Sequence, residues 1–482
     1  MNTPNEQARL DTLTTLSIKV HNLLNKLTAL NQDPTRKWTW NREAMTIIHQ
    51  LRSLATTNLP LLRSNLDAAL TFPSAALTNP TLFLGSKPNF ETFTRTPSWF
   101  DTMGFNTYTT PYTFSSTWDH FPISATILVP KTLDTTSKPV KIVFFFHGGG
   151  FCTGAGDFVS WYSASSLAHA KAANAVIIAP DYPLGPEASY LEISMSIREF
   201  LRWYGEDGCF EAGFAGWRAW LASVSGQPGL EGCLKGGENS VLVEGESAGG
   251  HAAVTALFAN AEVGGVGVRI DVVFLRYPMI RHYARELTGS VNYMGVEFEK
   301  GQVVERAEAI KTAVEELERM GLLATRSWDH PPRGMSGAFL LSITGMWKGM
   351  FQRHAGKGND IDAKMDGLER AVAYAGKVDE NRLPAVVVYH GEKDTNCPVS
   401  DTREFCELLE KNYPKYVNGE NIFLETVTRL EAQLTWNVEK KELERTAVTD
   451  VAHAFDYQLD RNKEKFLQDA FEHIDKFWGQ AK

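Results

Sequence analysis

The sequence predicts an α/β fold built on a mainly parallel sheet, and three observations carry that expectation. Short continuous apolar runs rich in Val, Ile and Phe recur along the chain, helical apolar patterns lie between them, and glycines cluster where two of the runs end. The runs are Ala125–Val129, Ile142–Phe146, Val176–Ala179, Val241–Val243, Val272–Leu275 and Ala385–Tyr389. A run without polar alternation has no face left for water, which marks a strand covered on both sides. Leu191–Tyr204 and Ala248–Ala261 carry helical spacing between such strands, so strand and helix alternate and the strands are expected to run parallel. Connection handedness then restricts the topology.

Ahead of the first run, Leu13, Leu16, Val20, Leu23, Leu24, Leu27 and Leu30, and again Ala44, Ile47, Ile48, Leu51 and Leu54, recur at helical spacing. Residues 1–105 are therefore expected to form helices and loops that contribute to a cap. Two stretches interrupt the alternation. Residues 205–238 are glycine-rich, hold a short helix candidate at Trp217–Val224, and are expected to be a surface insertion. Residues 279–378 contain an amphipathic segment (Val303, Val304, Ala307, Ile310, Val314, Leu317) and are expected to be a cap or lid between two sheet strands. The sheet-bearing core is thus divided into 106–278 and 379–482. Met346, Trp347, Met350 and Phe351 share one helical face within the insertion, and packing inside the cap is favoured over lining a pocket.

With 482 residues, 43% hydrophobic and 22% charged, the chain can bury a sizeable core. Its 57 acidic residues against 48 basic give a net charge of −9, which argues against nucleic acid as a partner. Five scattered cysteines are too few and odd in number for a disulfide framework. Glu6, Arg9, Asp11 and Lys19 break the first twenty residues, so no signal-peptide core is expected, and no apolar stretch is long enough for a transmembrane helix. The C-terminus carries no lipidation or retrieval signal, and a cytoplasmic location is the default expectation.

The chemistry is concentrated in a few segments. Val241–Val243 runs into Gly245-Glu246-Ser247-Ala248-Gly249 and then into a helical pattern. A serine on a sharp strand-to-helix turn needs glycine two residues before and after, because a side chain there would clash, and the following helix directs N–H groups at developing negative charge. Ser247 is therefore the candidate nucleophile. Upstream, the run ending at Phe146 leads into His147-Gly148-Gly149-Gly150, where a backbone free of Cβ atoms can approach a ligand and present its N–H groups as an oxyanion hole, with the Ala248 N–H as partner. His147 itself is expected to be structural. A serine hydroxyl needs a histidine to take its proton, and that histidine needs a carboxylate, in the order Ser, acid, His for this arrangement. Asp394 follows the Ala385–Tyr389 strand and is the candidate acid, with Glu392 and Asp401 as alternatives. His453 precedes the C-terminal helix and is the candidate base. His251, His282, His330, His354, His390 and His473 are each expected to be structural.

On these residues the sequence resembles the hormone-sensitive-lipase-like group of α/β-hydrolases. The marks are the HGGG motif at His147–Gly150, the elbow Gly245–Gly250, and Asp181-Tyr-Pro-Leu-Gly-Pro-Glu187, where Pro183 and Gly185 depart from the family's arginine and alanine. The resemblance implies an α/β-hydrolase fold, with helices on both faces of the central sheet and a helical cap. It implies Gly149, Gly150 and Ala248 as oxyanion donors, with Gly148 as a possible substitute. Asp181 and Glu187 would be structural. It also implies a serine-dependent carboxylic ester hydrolase, acting on small to medium acyl esters without cofactor or metal. The enlarged cap leaves room for a narrower enzyme acting on one specialised ester, lactone, thioester or amide. The plant gibberellin receptors, which resemble the family but have lost the histidine, provide a non-catalytic alternative that the presence of His453 disfavours. No H-E-x-x-H, P-loop or G-x-G-x-x-G occurs.

Overall fold

The computed structural model describes residues 95–480 apart from 97, 117–120, 137–138, 211–213, 235–237, 284, 294–295, 322, 332–333, 358–363, 365, 438–441 and 450. The helices expected at 13–30 and 44–54 lie outside the described residues. Leu70–Glu308 together with Ala324–Lys482 form one compact unit, and Met1–Ala69 together with Ala309–Leu323 form another.

The larger unit holds β1 (Phe105–Phe114), β2 (Pro122–Pro130), β3 (Lys141–Phe146), β4 (Ala175–Pro180), β5 (Val241–Glu246), β6 (Ile270–Arg276), the short hairpin β7 (Val291–Tyr293) and β8 (Val296–Phe298), β9 (Ala385–Gly391), β10 (Ile422–Val427), β11 (Leu430–Asn437) and β12 (Glu442–Val448). Eight of them form one sheet in the order β1-β2-β4-β3-β5-β6-β9-β10. From β4 to β10 every neighbouring pair is parallel, while β2 runs antiparallel to both β1 and β4. All six apolar runs read from the sequence are strands of this sheet.

Helices α1 (Ala164–Ala172), α2 (Tyr190–Glu206), α3 (Trp217–Ser225) and α4 (Ala248–Ala261) lie between the strands of the first half. After β6 the chain passes through α5 (Lys300–Arg319), α6 (Met335–Ile343), α7 (Trp347–Phe351) and α8 (Gly367–Ala373) before returning at β9. Helices α9 (Val399–Asn412) and α10 (Lys465–Phe477) follow. Successive strand residues point to opposite faces. Val143 and Phe145 of β3 join Leu167 of α1 and Phe471 and Ile474 of α10 in one apolar cluster. Phe144 points the other way, its ring 4.8 Å from Phe200 and 4.8 Å from Tyr204 of α2. Each such ring contributes on the order of 2–3 kcal/mol by leaving water. At its start α2 is fixed by a capping box, in which Ser189 accepts from the Leu191 N–H and Glu192 accepts from the Ser189 N–H.

Two elements differ from the sequence reading. Strand β1 alternates Thr with aromatic residues and carries Pro111 beside a register shift, so it lacks the continuous apolar signal of a central strand. It can use proline because it is the sheet edge. The charged stretch before His453 is the antiparallel hairpin β11–β12, whose Glu and Arg content conceals its strand period. Within 205–238 the short helix expected at Trp217–Val224 is α3; its Trp217 is fully buried and stacks on Trp203 at 5.0 Å, and Arg218 pairs with Asp207.

Of the smaller unit, the described part is the second half of α5 and the turn after it. Ile310, Val314 and Leu317 are buried there, at the spacing read from the sequence. Among the described residues no helix is long and apolar enough to cross a membrane.

Candidate active site

Ser247 sits between β5 and α4 with φ 50° and ψ −120°, a conformation that costs a non-glycine residue on the order of 1–3 kcal/mol and is held by its surroundings. The Ser247 N–H donates to the Arg276 carbonyl, and its carbonyl accepts from the Met279 N–H at 2.8 Å. The glycines are required as the sequence implied. A Cβ on Gly245 would lie 2.2 Å from the Gly249 carbonyl oxygen, and one on Gly249 would lie 2.0 Å from that of Phe146. Positive φ also recurs at Phe151, Tyr277 and Ala454, so backbone strain gathers around this turn.

Asp394 and Ser247 each come within hydrogen-bond reach of His453. Asp394 Oδ2 accepts from His453 Nδ1 at 2.7 Å, and His453 Nε2 lies 3.0 Å from Ser247 Oγ. A carboxylate at Nδ1 fixes the proton there, so Nε2 is the acceptor that faces the serine. Burial raises the Asp394 carboxyl, but the His453 imidazole and hydrogen bonds from His390 and His453 outweigh it and leave it well below the usual range. Its other oxygen, Oδ1, accepts from the Asn396 and Cys397 N–H groups at 2.8 and 2.9 Å. The two alternative acids point elsewhere: Glu392 pairs with Arg403 at 2.7 Å and Asp401 with Arg281 at 3.4 Å. The 59 residues between Asp394 and His453 are taken up by α9, β10 and the β11–β12 hairpin. The two loops meet at Gly391, where a Cβ would lie 2.5 Å from the Val451 carbonyl oxygen.

The glycine loop after β3 turns at Gly149 and Gly150, with φ 93° and 57°, and the Gly149 carbonyl accepts from the Cys152 N–H. The Gly148 N–H donates to Glu246 Oε1 at 3.2 Å, which removes Gly148 as a substitute donor. The Gly149, Gly150 and Ala248 N–H groups meet no acceptor among the described residues. His147 is fully buried and stacks on Tyr182 at 4.2 Å. Burial lowers its pKa to about 4, so it is a neutral support for the loop. Asp181 accepts from the Gly156 N–H at 2.7 Å. Glu187 pairs with Arg326 of the insertion, which also contacts Asp329, and Asp329 exchanges backbone hydrogen bonds with Gly154. The segment 181–187 thus fastens the 279–378 insertion to the glycine loop.

A cavity of about 180 Å³ opens over Ser247 and His453. Its apolar wall comes from Trp161 and from Met335, Ala338 and Phe339 of α6. Of the four residues read as sharing a helical face, Trp347, Met350 and Phe351 are buried and Met346 is half-buried, and none of them lines that wall.

Residues 143–335 match the Abhydrolase_3 family, described as alpha/beta hydrolase fold. Over that stretch this chain has an α/β-hydrolase fold. The matched stretch carries the hormone-sensitive-lipase-like features noted above. The chain is 28% identical over 178 residues to a probable carboxylesterase M8 of Phoma sp. (37% of this chain, 49% of the relative). It is 31% identical over 136 residues to a chloroplastic tuliposide A-converting enzyme 2 of Tulipa gesneriana (27% and 30%). The chain therefore spans half or less of the length of these curated relatives. Esterase B from Lactobacillus Rhamnosis aligns with 86% of this chain and 94% of its own, at 13% identity and a TM-score of 0.43.

The partners of the buried residues beside this site were not read from the sequence. His390, expected to be structural, is fully buried and its Nε2 lies 3.1 Å from Asp394 Oδ2. Arg276 is fully buried against Glu244, Glu246 and Asp456 at 2.8, 3.1 and 2.5 Å. An arginine at the end of an otherwise apolar strand was the available signal, since a buried guanidinium demands acids around it. Among the described residues, His282, Asp366 and Glu369 come nearest to a metal-ligand set. The two carboxylates already close the capping box of α8, and His282 bonds to the Tyr190 hydroxyl.

Proposed function

We propose that this protein is a serine-dependent carboxylic ester hydrolase that works through an acyl-enzyme on small to medium acyl esters. The observation that carries the reading is the continuous hydrogen-bonded line from Asp394 through His453 to Ser247, at a partly apolar cavity that Gly149 and Gly150 also line. Ser247 Oγ attacks the ester carbonyl carbon while its proton passes to His453 Nε2. The carbonyl oxygen, now an anion, is received by the Gly149, Gly150 and Ala248 N–H groups. His453 then gives its proton to the departing alcohol, and the ester C–O bond breaks. Water repeats the sequence on the acyl-enzyme: its proton goes to His453 and then to Ser247 Oγ as the acid leaves. Asp394 stays ionised throughout and stabilises the imidazolium. Each oxyanion donor should supply on the order of 3–4 kcal/mol in the transition state. The probable carboxylesterase among the relatives is in line with this chemistry.

The test is hydrolysis of p-nitrophenyl esters from acetate to decanoate by the wild type and by folded Ser247→Ala. Turnover that peaks at one chain length in the wild type, and falls by at least about 10³-fold in the variant, is the expected result. Near wild-type turnover by the variant would remove Ser247 from the mechanism.

A further inference from the structure

We infer that Arg285 makes this cavity selective for esters that carry a carboxylate near the scissile bond. The inference rests on the serine-hydrolase reading above and names its substrate class. Arg285 lines the same cavity as Ser247, His453 and the oxyanion glycines, and among the described residues no acidic one lines it. Its guanidinium is held in place: one terminal nitrogen donates to the Asn396 carbonyl and side-chain oxygens, both at 2.8 Å, and to the Thr395 carbonyl at 3.2 Å. The plane rests 5.0 Å from the Tyr283 ring centroid. Every one of these partners is neutral. Among the described residues no carboxylate lies within ion-pair distance of Arg285, whereas Arg281, four residues earlier, is paired with both Asp401 and Glu404. Asp394, on the same loop as Asn396, is turned to His453 and His390.

A guanidinium has five donors in a fixed fork, and here one nitrogen is spent on uncharged oxygens while the net charge stays uncompensated. Half-buried beside the Tyr283 ring at the edge of a cavity, such a group favours an anion that reaches it with two parallel hydrogen bonds. Tyr283, Arg285 and Asn396 also line a second cavity of about 450 Å³, so Arg285 stands where a substrate extending beyond the reacting carbonyl would pass. A carboxylate is the matching group, and its place on the acyl or the alcohol side is decided by experiment.

Two matched substrate pairs test this. On the acyl side, mono-p-nitrophenyl glutarate is compared with p-nitrophenyl butyrate; on the alcohol side, 4-acetoxybenzoate is compared with phenyl acetate. The readout is the ratio of kcat/KM, anionic over neutral, in wild type, Arg285→Gln and Arg285→Lys. For at least one pair the wild-type ratio should exceed one, and Arg285→Gln should lower it about 10- to 100-fold, the range for losing a charge-assisted hydrogen bond. Arg285→Lys should keep part of it, and raising the salt concentration should lower the wild-type ratio. Glutarate should also inhibit wild-type hydrolysis of the neutral ester competitively, which tests the idea without any variant. Wild-type ratios below one for both pairs, or a ratio unchanged in Arg285→Gln, would overturn the inference. If Arg285 only fastened the 395–396 loop, both members of each pair would lose kcat together and the ratio would hold. Absence of turnover on all four substrates would instead count against the serine-hydrolase reading.

Discussion

Replacing Glu246 by glutamine should change how stability depends on pH, with a sign that follows from its surroundings. The carboxyl is fully buried beside the nucleophile. One oxygen accepts from the Gly148 N–H, and the other accepts from Arg276 and from the Tyr277 hydroxyl, each at 3.1 Å. Burial pushes its pKa from 4.5 up to about 7; Arg276 pulls against the rise and Asp456 adds to it. A carboxyl raised in the folded state binds its proton there after the unfolded chain has released it. Its contribution to stability is therefore full below pH 4.5 and is lost as pH climbs to about 7, at up to about 1.4 kcal/mol per pH unit, or roughly 3 kcal/mol across the interval. Glutamine keeps an oxygen for the Gly148 N–H and does not titrate, and Arg276 retains Glu244 and Asp456. Urea unfolding of wild type and Glu246→Gln at pH 5, 6, 7 and 8 isolates the effect, because every other titrating group cancels in the difference. The variant should gain on the wild type by about 2–3 kcal/mol between pH 5 and pH 8. Parallel stability curves, or divergence in the opposite direction, would refute the reasoning.

Asp394→Asn should lower kcat by about 10⁴-fold. The Asn396 and Cys397 N–H groups require an oxygen on one side of the side chain, which turns the new amide NH₂ toward His453 and moves the histidine proton to the nitrogen facing Ser247. Because the Asp394 carboxyl is lowered in the folded protein, its stability contribution is present above about pH 4 and is lost as pH falls below that. Asp394→Asn should consequently show a shallower acid-unfolding slope than wild type in the same urea series. Gly249→Ala should lower kcat by on the order of 10²-fold together with a lower melting temperature. Its Cβ meets backbone oxygens of Phe146 and His147 at 2.0 and 2.5 Å, so the start of α4 must move. Trp347→Ala should cost about 3–5 kcal/mol in unfolding measurements, yet leave the acyl-chain optimum unchanged, since the ring is fully buried with its N–H on the Tyr190 hydroxyl and does not line the cavity.

What the sequence made legible is whatever a local pattern can encode. Strands covered on both faces announce themselves as unbroken apolar runs, and the elbow at Ser247 needs glycines at fixed offsets, so both were read from a few residues. Asp394 was singled out because it stands just past a recognisable strand, and His453 because it precedes the C-terminal helix. The supporting shell was not legible, because its members act across the chain: Arg276 meets Asp456 180 residues away and Glu187 meets Arg326 139 residues away. Strand β1 and the β11–β12 hairpin were hidden for another reason. Strand β1 lies at the sheet edge, and Thr, Glu and Arg in these segments blur the period on which a strand reading depends.

The buried charges beneath the site explain how its separate parts keep one geometry. Arg276, at the end of β6, faces three carboxylates: Glu244 and Glu246 of β5, and Asp456, three residues beyond the base His453. One guanidinium cannot neutralise three buried anions, and the excess is absorbed by donors and protons. The Ser166 hydroxyl donates to Glu244, the Gly148 N–H to Glu246, and the Tyr277 and Tyr389 hydroxyls to Asp456, while burial raises the pKa of both glutamates. A buried cluster of this kind is a poor source of stability, because well-packed apolar residues would do as well or better. Its value lies in the attachments. Glu246 fixes the glycine loop through Gly148, its backbone continues directly into Ser247, Tyr277 packs against the His453 ring at 4.9 Å, and Asp456 tethers the loop that carries His453. Ser247, His453 and the glycine loop come from three distant stretches of chain, and this one network of directional bonds holds all three, so a cost in burial is offset by fixed relative positions; under the proposed mechanism these need no rearrangement when charge develops at the substrate.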